Sequence, residues 1–587
     1  MNVLGIHDGH NASAALLRDG ELVAAVQEER FTRVKNQGGF PGRSVEAVLQ
    51  LAGMRRDEVD VFAAGDRFHY GFLEWDRESV LRRFEAGGRS PARIYAGELK
   101  PVRRLRKNQL AGARRQRLLA AGLPGDRTAI VEHHECHAAA AYYGQGILDE
   151  PVLVLTADGV GDYLSATVNV GQDGALKRIA QVPDVDSLGL LFAHVTFLMG
   201  MMPLEHEHKV MGLAPYGSKA TEHVQRMQQK FQRLFRFEGD GVTWASANRS
   251  KTIMDSPEQL KPLLYRERFD WIAAGLQNFA EEMLLTWVES CIRRTGIRRV
   301  ALGGGLFMNV KANQRILESD AVESLFVMPS CGDETNSIGA AYAAHAGRRR
   351  REGAPVDIRP LRHLYLGPSI DDEQAESALR AIGPAANLRW DRPENPEREV
   401  ARLLRSGAAV ARAAGPMEFG ARALGNRSIL ADSSRPDMVR VINDMIKDRD
   451  FWMPFAPSLL AERATDYVTK PKDVSTPYMM LAFESRPEKR DALVAARHPS
   501  DGTVRIQEVV RELNPGYYGL IEEFAELSGE SVVLNTSFNL HGFPIVSTAE
   551  DALDVLQNSG LEYLQLSSFI VSKGGDGAGG PPPPSSA

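Results

Sequence analysis

A chain of 587 residues, 43% hydrophobic and 25% charged, has the make-up of a globular protein with more than one domain. Its net charge of −6 excludes a global nucleic-acid-binding character, so no nucleic-acid partner is expected. Three scattered cysteines, Cys136, Cys291 and Cys331, have no CxxC spacing and fit a reduced, cytoplasmic protein. The start MNVLGIHDGH lacks the basic and apolar regions of a signal peptide, and no uncharged apolar run is long enough to span a membrane.

Val3–Ile6 reads as a strand, followed by the polar HDGHNAS, a strand at Ala14–Leu17, an Asp19-Gly20 turn and a strand at Leu22–Val26. Gln27–Arg33 crowds charges beside a strand and is expected to be a solvated helix start. Arg93–Arg117 is markedly basic. Because aromatics do not interleave, it is expected to be a solvated helical insert rather than a polyanion site.

Thr128–Val131 reads as a short strand leading into HHECHAAAAYY, whose alanine run forms helix readily. His133 and His137 then stack one turn apart, with His134 pointing elsewhere. Two imidazoles so placed can bind one transition metal, or they can simply cap a buried helix; a metal would need carboxylates from elsewhere in the chain. The strand–loop–strand–turn order recurs at Val152–Thr156, Asp158–Asp162, Ala166–Val170 and Asp173-Gly174. The repeat implies two related halves, each with a glycine-bearing loop able to hold phosphate oxygens. Asp158, at the end of the second half's first strand, is the first candidate carboxylate.

Leu188–Gly200 is expected to be a core helix, Glu205–Gly212 a substrate or phosphate loop, and Phe269–Arg294 a long amphipathic helix. The strand Val300–Leu302 enters Gly303-Gly304-Gly305 ahead of a helix through Lys311–Leu317, an arrangement that can accept a nucleotide phosphate. The strand Leu325–Met328 delivers Asp333, the second candidate carboxylate, ahead of a small-residue helix, Ser337–Ala344. A domain boundary falls after the Arg348–Glu352 charge run, in Gly353–Pro360. The glycine-rich segments beyond it carry Arg422, Arg427, Lys447, Arg449, Arg505 and Ser537, a set suited to an anionic ligand.

Ten stretches, in order from Gly5 to about Val546, resemble the NodU-type O-carbamoyltransferases: HDGHNASAAL, EERFTRVK, HHECHAAAAYY, HKVMGLAPYG, GGGLFMNVKAN, CGDETNSIGAA, EFGARALGNRSILAD, KDRDFWMPFAPS, DGTVRIQ and NTSFNLHGFPIV. The resemblance implies an α/β fold. Residues 1–352 would form a duplicated domain of the actin, sugar-kinase and heat-shock type, 353–362 a linker, 363–573 an α+β YrdC-like domain, and 574–587 a disordered tail. It also implies a two-step reaction. The second domain would make carbamoyl adenylate from carbamoyl phosphate and ATP, and the first would transfer the carbamoyl group to a hydroxyl of a small natural product: a sugar, an aminoglycoside or a glycosylated polyketide. By resemblance, His133, His137, Asp158 and Asp333 would hold a divalent metal, iron(II) in the family. Gly303, Gly304 and Asn309 would bind the adenylate. Arg422, Lys447, Arg505 and Ser537 would bind carbamoyl phosphate and ATP, with Lys447 and Arg505 acting catalytically. His10 matches the position of a general base, although a structural loop histidine is an equal reading. His498–Gly502 carries one residue more than the family's HVDG. Two other functions remain open: a tRNA-modifying threonylcarbamoyl transferase, and a nucleotide-binding sensor or scaffold of the actin-like fold.

Overall fold

The computed structural model describes residues 1–68, 77–85, 100–218, 220–248, 257–383 and 387–574. Two five-stranded sheets share one design. The first is built from β1 (Asn2–His7), β2 (Ser13–Arg18), β3 (Glu21–Gln27), β4 (Val61–Ala64) and β5 (Thr128–Ile130), in the order β3-β2-β1-β4-β5. The second uses β6 (Val152–Gly161), β7 (Leu164–Gln172) and β8 (Ala175–Pro183), then β11 (Arg299–Gly303) and β12 (Ser324–Val327), in the order β12-β11-β6-β7-β8. In each half the first three strands form an antiparallel meander, and the other two run parallel to the first. This is the duplicated actin-type fold. The meander turns explain themselves: Asp19 and Gly20 have φ of 47° and 76°, Asp173 and Gly174 of 51° and 67°, the left-handed pair that a two-residue hairpin needs. A separate hairpin pairs β9 (Phe235–Glu238) with β10 (Thr243–Ser246).

Two helices fill the space between the sheets. His133–Gln145 packs against Asn336–Arg351, and the latter also covers β1 and β2. Small residues permit the approach: a β-carbon on Gly339 would fall 1.9 Å from the Cys136 carbonyl oxygen, and one on Gly5 would fall 1.9 Å from that of Ser337. The carboxylate of Glu132 caps the first helix by accepting from the N–H groups of His134 and Glu135, each at 3.0 Å.

The rest of the chain forms a mixed eight-stranded sheet, an α+β unit. It is built from β14 (Leu388–Asp391), β15 (Val410–Ala413), β17 (Arg427–Ala431), β18 (Ala456–Leu460), β22 (Gln507–Val509), β23 (Val532–Ser537), β24 (Tyr563–Leu566) and β25 (Phe569–Lys573). Beside it, β13 (Tyr365–Ile370) pairs with β16 (Gly415–Glu418), and β19 (Val468–Thr469), β20 (Phe483–Ser485) and β21 (Thr503–Val504) form a small sheet. The expected linker packs along both meander turns, with Arg359 N–H donating to the Gly20 carbonyl at 2.8 Å and Gly174 lying beneath Val356. Among the described residues no helix is long and apolar enough to cross a membrane.

Four local expectations differ from the structure. The segment from Glu207 is not a loop but a helix, Glu207–Gly217, because apolar Val210, Leu213 and Ala214 give it a buried face. Asp158–Gly161 continues β6, with an irregular register between Ala157 and Gly161. The solvated helix start is half wrong: Arg30 is buried and donates to the Gly420 carbonyl at 2.6 Å, while Arg33 donates to that of Ile545 at 2.7 Å. The charges of EERFTRVK therefore strap the first sheet to the C-terminal half. The basic insert is a helix, Lys100–Ala120, but Arg114 is fully buried on it. Residues 93–99 and 575–587 lie outside the described residues.

Candidate functional site

The four proposed metal ligands come from three places and meet at one point. His133 and His137 occupy successive turns of the helix that starts behind Glu132. Asp158 sits on β6, and Asp333 follows β12 just before the next helix. One donor atom from each residue lies within 4.8 Å of all the others. His137 Nε2 is 3.1 Å from His133 Nε2, 2.9 Å from Asp158 Oδ2 and 3.4 Å from Asp333 Oδ1. Two imidazole lone pairs facing each other at that distance repel unless a proton or a cation lies between them. Asp333 Oδ1 is buried without a hydrogen-bond partner among the described residues, an orphaned acceptor that calls for a ligand. Nitrogens and carboxylate oxygens in this set fit a divalent cation, without naming which. Against burial, which opposes charge, hydrogen bonds with His133 and His137 hold the Asp158 carboxyl well below the usual carboxylate range.

His134 takes no part. Its Nδ1 bonds Thr156 Oγ1 at 2.8 Å, and burial and then His133 push its pKa down to about 3. Asp66, at the end of β4, was not picked out in the sequence. Its Oδ1 lies 2.6 Å from His133 Nδ1. A carboxylate can only accept there, so His133 carries a proton on Nδ1, and Nε2 is the nitrogen turned toward the cluster.

His10 follows β1 and lines the same cavity as Asp158 and Asp333. Burial lowers its pKa, with the Asp333 carboxylate pulling the other way. The glycines divide in role. Gly303 and Gly304 pack against backbone, since a β-carbon would fall 2.7 Å from the His137 carbonyl oxygen and 2.3 Å from that of Ala157. Gly305 faces the cavity, and its N–H lies 3.3 Å from Asp158 Oδ2. Asn309 lines the cavity too, caps the helix Val310–Glu318 by accepting from Ala312 N–H at 3.1 Å, and exchanges two hydrogen bonds with Gln277.

The residues expected to bind an anionic ligand gather as a second cluster. Glu418 shapes the loop that presents Arg422: one carboxylate oxygen accepts from the N–H groups of Leu424 and Asn426, each at 2.8 Å, and from Arg427 at 3.2 Å. Lys447 Nζ donates to the Ser537 carbonyl, to Ser537 Oγ at 3.2 Å and to Asn539 Oδ1 at 2.8 Å. Burial, then Arg449 and Lys35, push the Lys447 ammonium well below the usual lysine range. Burial and then Arg422 and Arg449 push Arg505 down in the same way, and burial and Arg422 bring Arg449 to about 10. Arg449, which gathers with the others, is read in the sequence among the cations suited to an anion but is not matched to the family's carbamoyl phosphate and ATP site. Its signal was its place two residues beyond Lys447.

A cavity of about 590 Å³ joins the two clusters. It is lined by His10, Asp158 and Asp333 at one place and by Arg422, Lys447 and Ser537 at another. Arg505 instead lines a smaller space of about 40 Å³ that shares Arg422, Arg449 and Ser537 with the first. His498 lines neither, and its Nε2 lies 2.8 Å from the Gly212 carbonyl oxygen.

Comparison with known proteins gives the same two parts. A family model described as the carbamoyltransferase N-terminus matches residues 2–342, and one described as the carbamoyltransferase C-terminus matches residues 401–573. The chain is 31% identical to the nodulation protein NolNO of Sinorhizobium fredii, over 96% of this chain and 79% of that one. It is 32% identical to the uncharacterized protein sll1178 of Synechocystis, over 96% and 95% of the two chains. With the uncharacterized protein MJ1051 of Methanocaldococcus jannaschii it shares 30% identity over 97% and 99%.

Proposed function

The chain belongs to the carbamoyltransferase family, and from that premise we propose that it is an ATP- and metal-dependent O-carbamoyltransferase. It makes carbamoyl adenylate from carbamoyl phosphate and ATP, and passes the carbamoyl group to a hydroxyl of a small natural product such as a sugar, an aminoglycoside or a glycosylated polyketide. The observation that carries this reading is the single cavity lined by both the Asp158–Asp333 pair and the Arg422–Lys447 pair. A labile acyl adenylate formed beside these cations reaches the cluster of His133, His137, Asp158 and Asp333 without crossing bulk water.

In the first step water cleaves carbamoyl phosphate to carbamate and inorganic phosphate. A carbamate oxygen attacks the α-phosphorus of ATP, and pyrophosphate leaves. Arg422, Lys447, Arg449 and Arg505 bind and orient the polyphosphate, and their charge offsets the charge that develops on the phosphoryl oxygens. In the second step the acceptor hydroxyl attacks the carbamoyl carbon, and AMP leaves. The imidazole of His10 takes the hydroxyl proton; burial keeps it neutral and therefore able to accept one. Gly305 and Asn309 hold the adenylate side of the intermediate. A divalent cation held by His133, His137, Asp158 and Asp333, iron(II) by family resemblance, would supply a Lewis acid to the phosphate and the transferring carbonyl. The partner in this reading is a small molecule in the cytoplasm, with neither nucleic acid nor membrane involved.

The test is to incubate purified protein with carbamoyl phosphate, ATP, iron(II) and a panel of hydroxylated natural products, and to look for products heavier by one carbamoyl group. Failure to release pyrophosphate in any mixture sinks the reading.

A further inference from the structure

One guanidinium in the basic helix, Lys100–Ala120, is not solvated. Arg114 is fully buried, and all its donors turn inward onto two loops. Nη1 meets the Asp8 carboxylate, Nη2 donates to the Gly65 carbonyl at 2.6 Å, and Nε donates to the Asp66 carbonyl at 2.9 Å. The first loop, which follows β1, carries His10. The second, which follows β4, carries Asp66 with φ at 64°, a left-handed conformation that a non-glycine residue holds only when its surroundings fix it.

The chain of contacts continues. Asp66 Oδ1 receives His133 Nδ1 at 2.6 Å, and Asp66 Oδ2 lies 3.4 Å from His7 Nδ1. His7 Nε2 is 2.9 Å from the His10 carbonyl oxygen. On the far side, Asp162 ties the same loop to the helix start, accepting from the N–H groups of Arg67 at 2.8 Å, Phe68 at 2.7 Å and His133 at 2.8 Å.

We propose that Arg114 is a positioning residue for the metal centre: its guanidinium pins the Gly65–Asp66 backbone so that the Asp66 carboxylate fixes the tautomer and aim of His133. This rests on the reading that His133, His137, Asp158 and Asp333 hold a divalent cation. Arg is required because only a planar fork reaches one carboxylate and two carbonyls at once; a lysine keeps the charge beside Asp8 but supplies a single point. The helix therefore does more than extend the domain, since it sets the outer shell of the site.

The experiment uses metal-free full-length protein titrated with cobalt(II), followed by its visible absorption. Arg114→Lys, Asp66→Asn and the double variant are compared with wild type. Thermal melting without metal and pyrophosphate release without acceptor serve as controls that a merely structural lesion would move. Asp66→Asn is expected to weaken cobalt about 10- to 100-fold, the usual effect of removing an outer-shell partner. Arg114→Lys should weaken it about tenfold, and the double variant should be no weaker than Asp66→Asn alone, because both act through one contact. Pyrophosphate release should stay at the wild-type level throughout. Wild-type affinity in Asp66→Asn overturns the proposal whether or not the Arg114 variant folds. Wild-type affinity in a folded Arg114→Lys, or additive losses in the double variant, overturns it as well. A wild-type protein that binds no cobalt removes the metal reading itself, and the proposal with it.

Discussion

Gly161 lies flat against the ring of His133: a β-carbon at that position would fall 2.0 Å from both Cγ and Cδ2. The space that aims one candidate ligand is thus the missing side chain of another residue. Gly161→Ala forces the ring or the strand to move, at a cost of about 1–3 kcal/mol. A lowered melting temperature together with weakened divalent-metal binding is the expected result. An unchanged melting temperature would show that the ring has room to shift.

His10 is held below the ordinary histidine pKa by burial. It therefore stays neutral through the physiological range, and the acid limb of the transfer rate should fall below pH 6.5 rather than at it. His10→Ala should slow transfer roughly hundred- to ten-thousand-fold, the usual contribution of a general base, while leaving pyrophosphate release intact. Equal loss of both steps would make it a structural loop histidine instead.

Lys447 is depressed by burial and by Arg449 and Lys35. Between its folded pKa and the ordinary lysine value of about 10.4, the unfolded chain holds a proton that the folded chain lacks. Stability of the ligand-free protein contributed by this group therefore rises as pH climbs through that window, and binding a polyanion there draws the proton back. Calorimetry of pyrophosphate binding in two buffers of different ionisation enthalpy should show net proton uptake at pH 8 to 9. Lys447→Met should abolish the uptake; a wild type that takes up no proton would mean that Lys447 is already charged.

Glu418 accepts three backbone N–H groups with one oxygen and so sets the loop that presents Arg422. Glu418→Ala leaves those donors buried and unpaired, at a cost of about 1.5–3 kcal/mol for hydrogen bonds to a charged group. ATP affinity should fall with it, read by the same calorimetry, even though Glu418 lines neither cavity. Unchanged ATP affinity in a folded variant would separate the loop from the site.

The duplicated halves were legible because turn chemistry is local. Asp19-Gly20 and Asp173-Gly174 each announce a two-residue hairpin, and each takes the left-handed angles this requires. The His133–His137 pair was legible from helical spacing, and Asp158 and Asp333 from strand ends. Asp66 was not: it lies two residues past the fourth strand of the first half, and the same place in the second half falls in the glycine run after β11, so the repeat offers no carboxylate to match it. Arg114 and Arg33 were misread because a charged residue in a charged run looks solvated. Whether its partner is water, a carboxylate or a distant carbonyl is decided by tertiary contacts 106 residues away for Arg114 and 512 away for Arg33. The Glu205–Gly212 stretch was taken for a loop because its histidines and glutamates masked the apolar positions that follow.

The account stands on two chemistries sharing one cavity, and one assay separates them. Purified protein with carbamoyl phosphate, ATP and iron(II) is followed for pyrophosphate without acceptor and for carbamoylated product with an acceptor that the wild type uses, beside Lys447→Ala and His137→Ala. The account predicts release by wild type, none by Lys447→Ala, and release without carbamoyl transfer by His137→Ala. Loss of pyrophosphate release in His137→Ala as well as in Lys447→Ala would contradict a separate transfer centre.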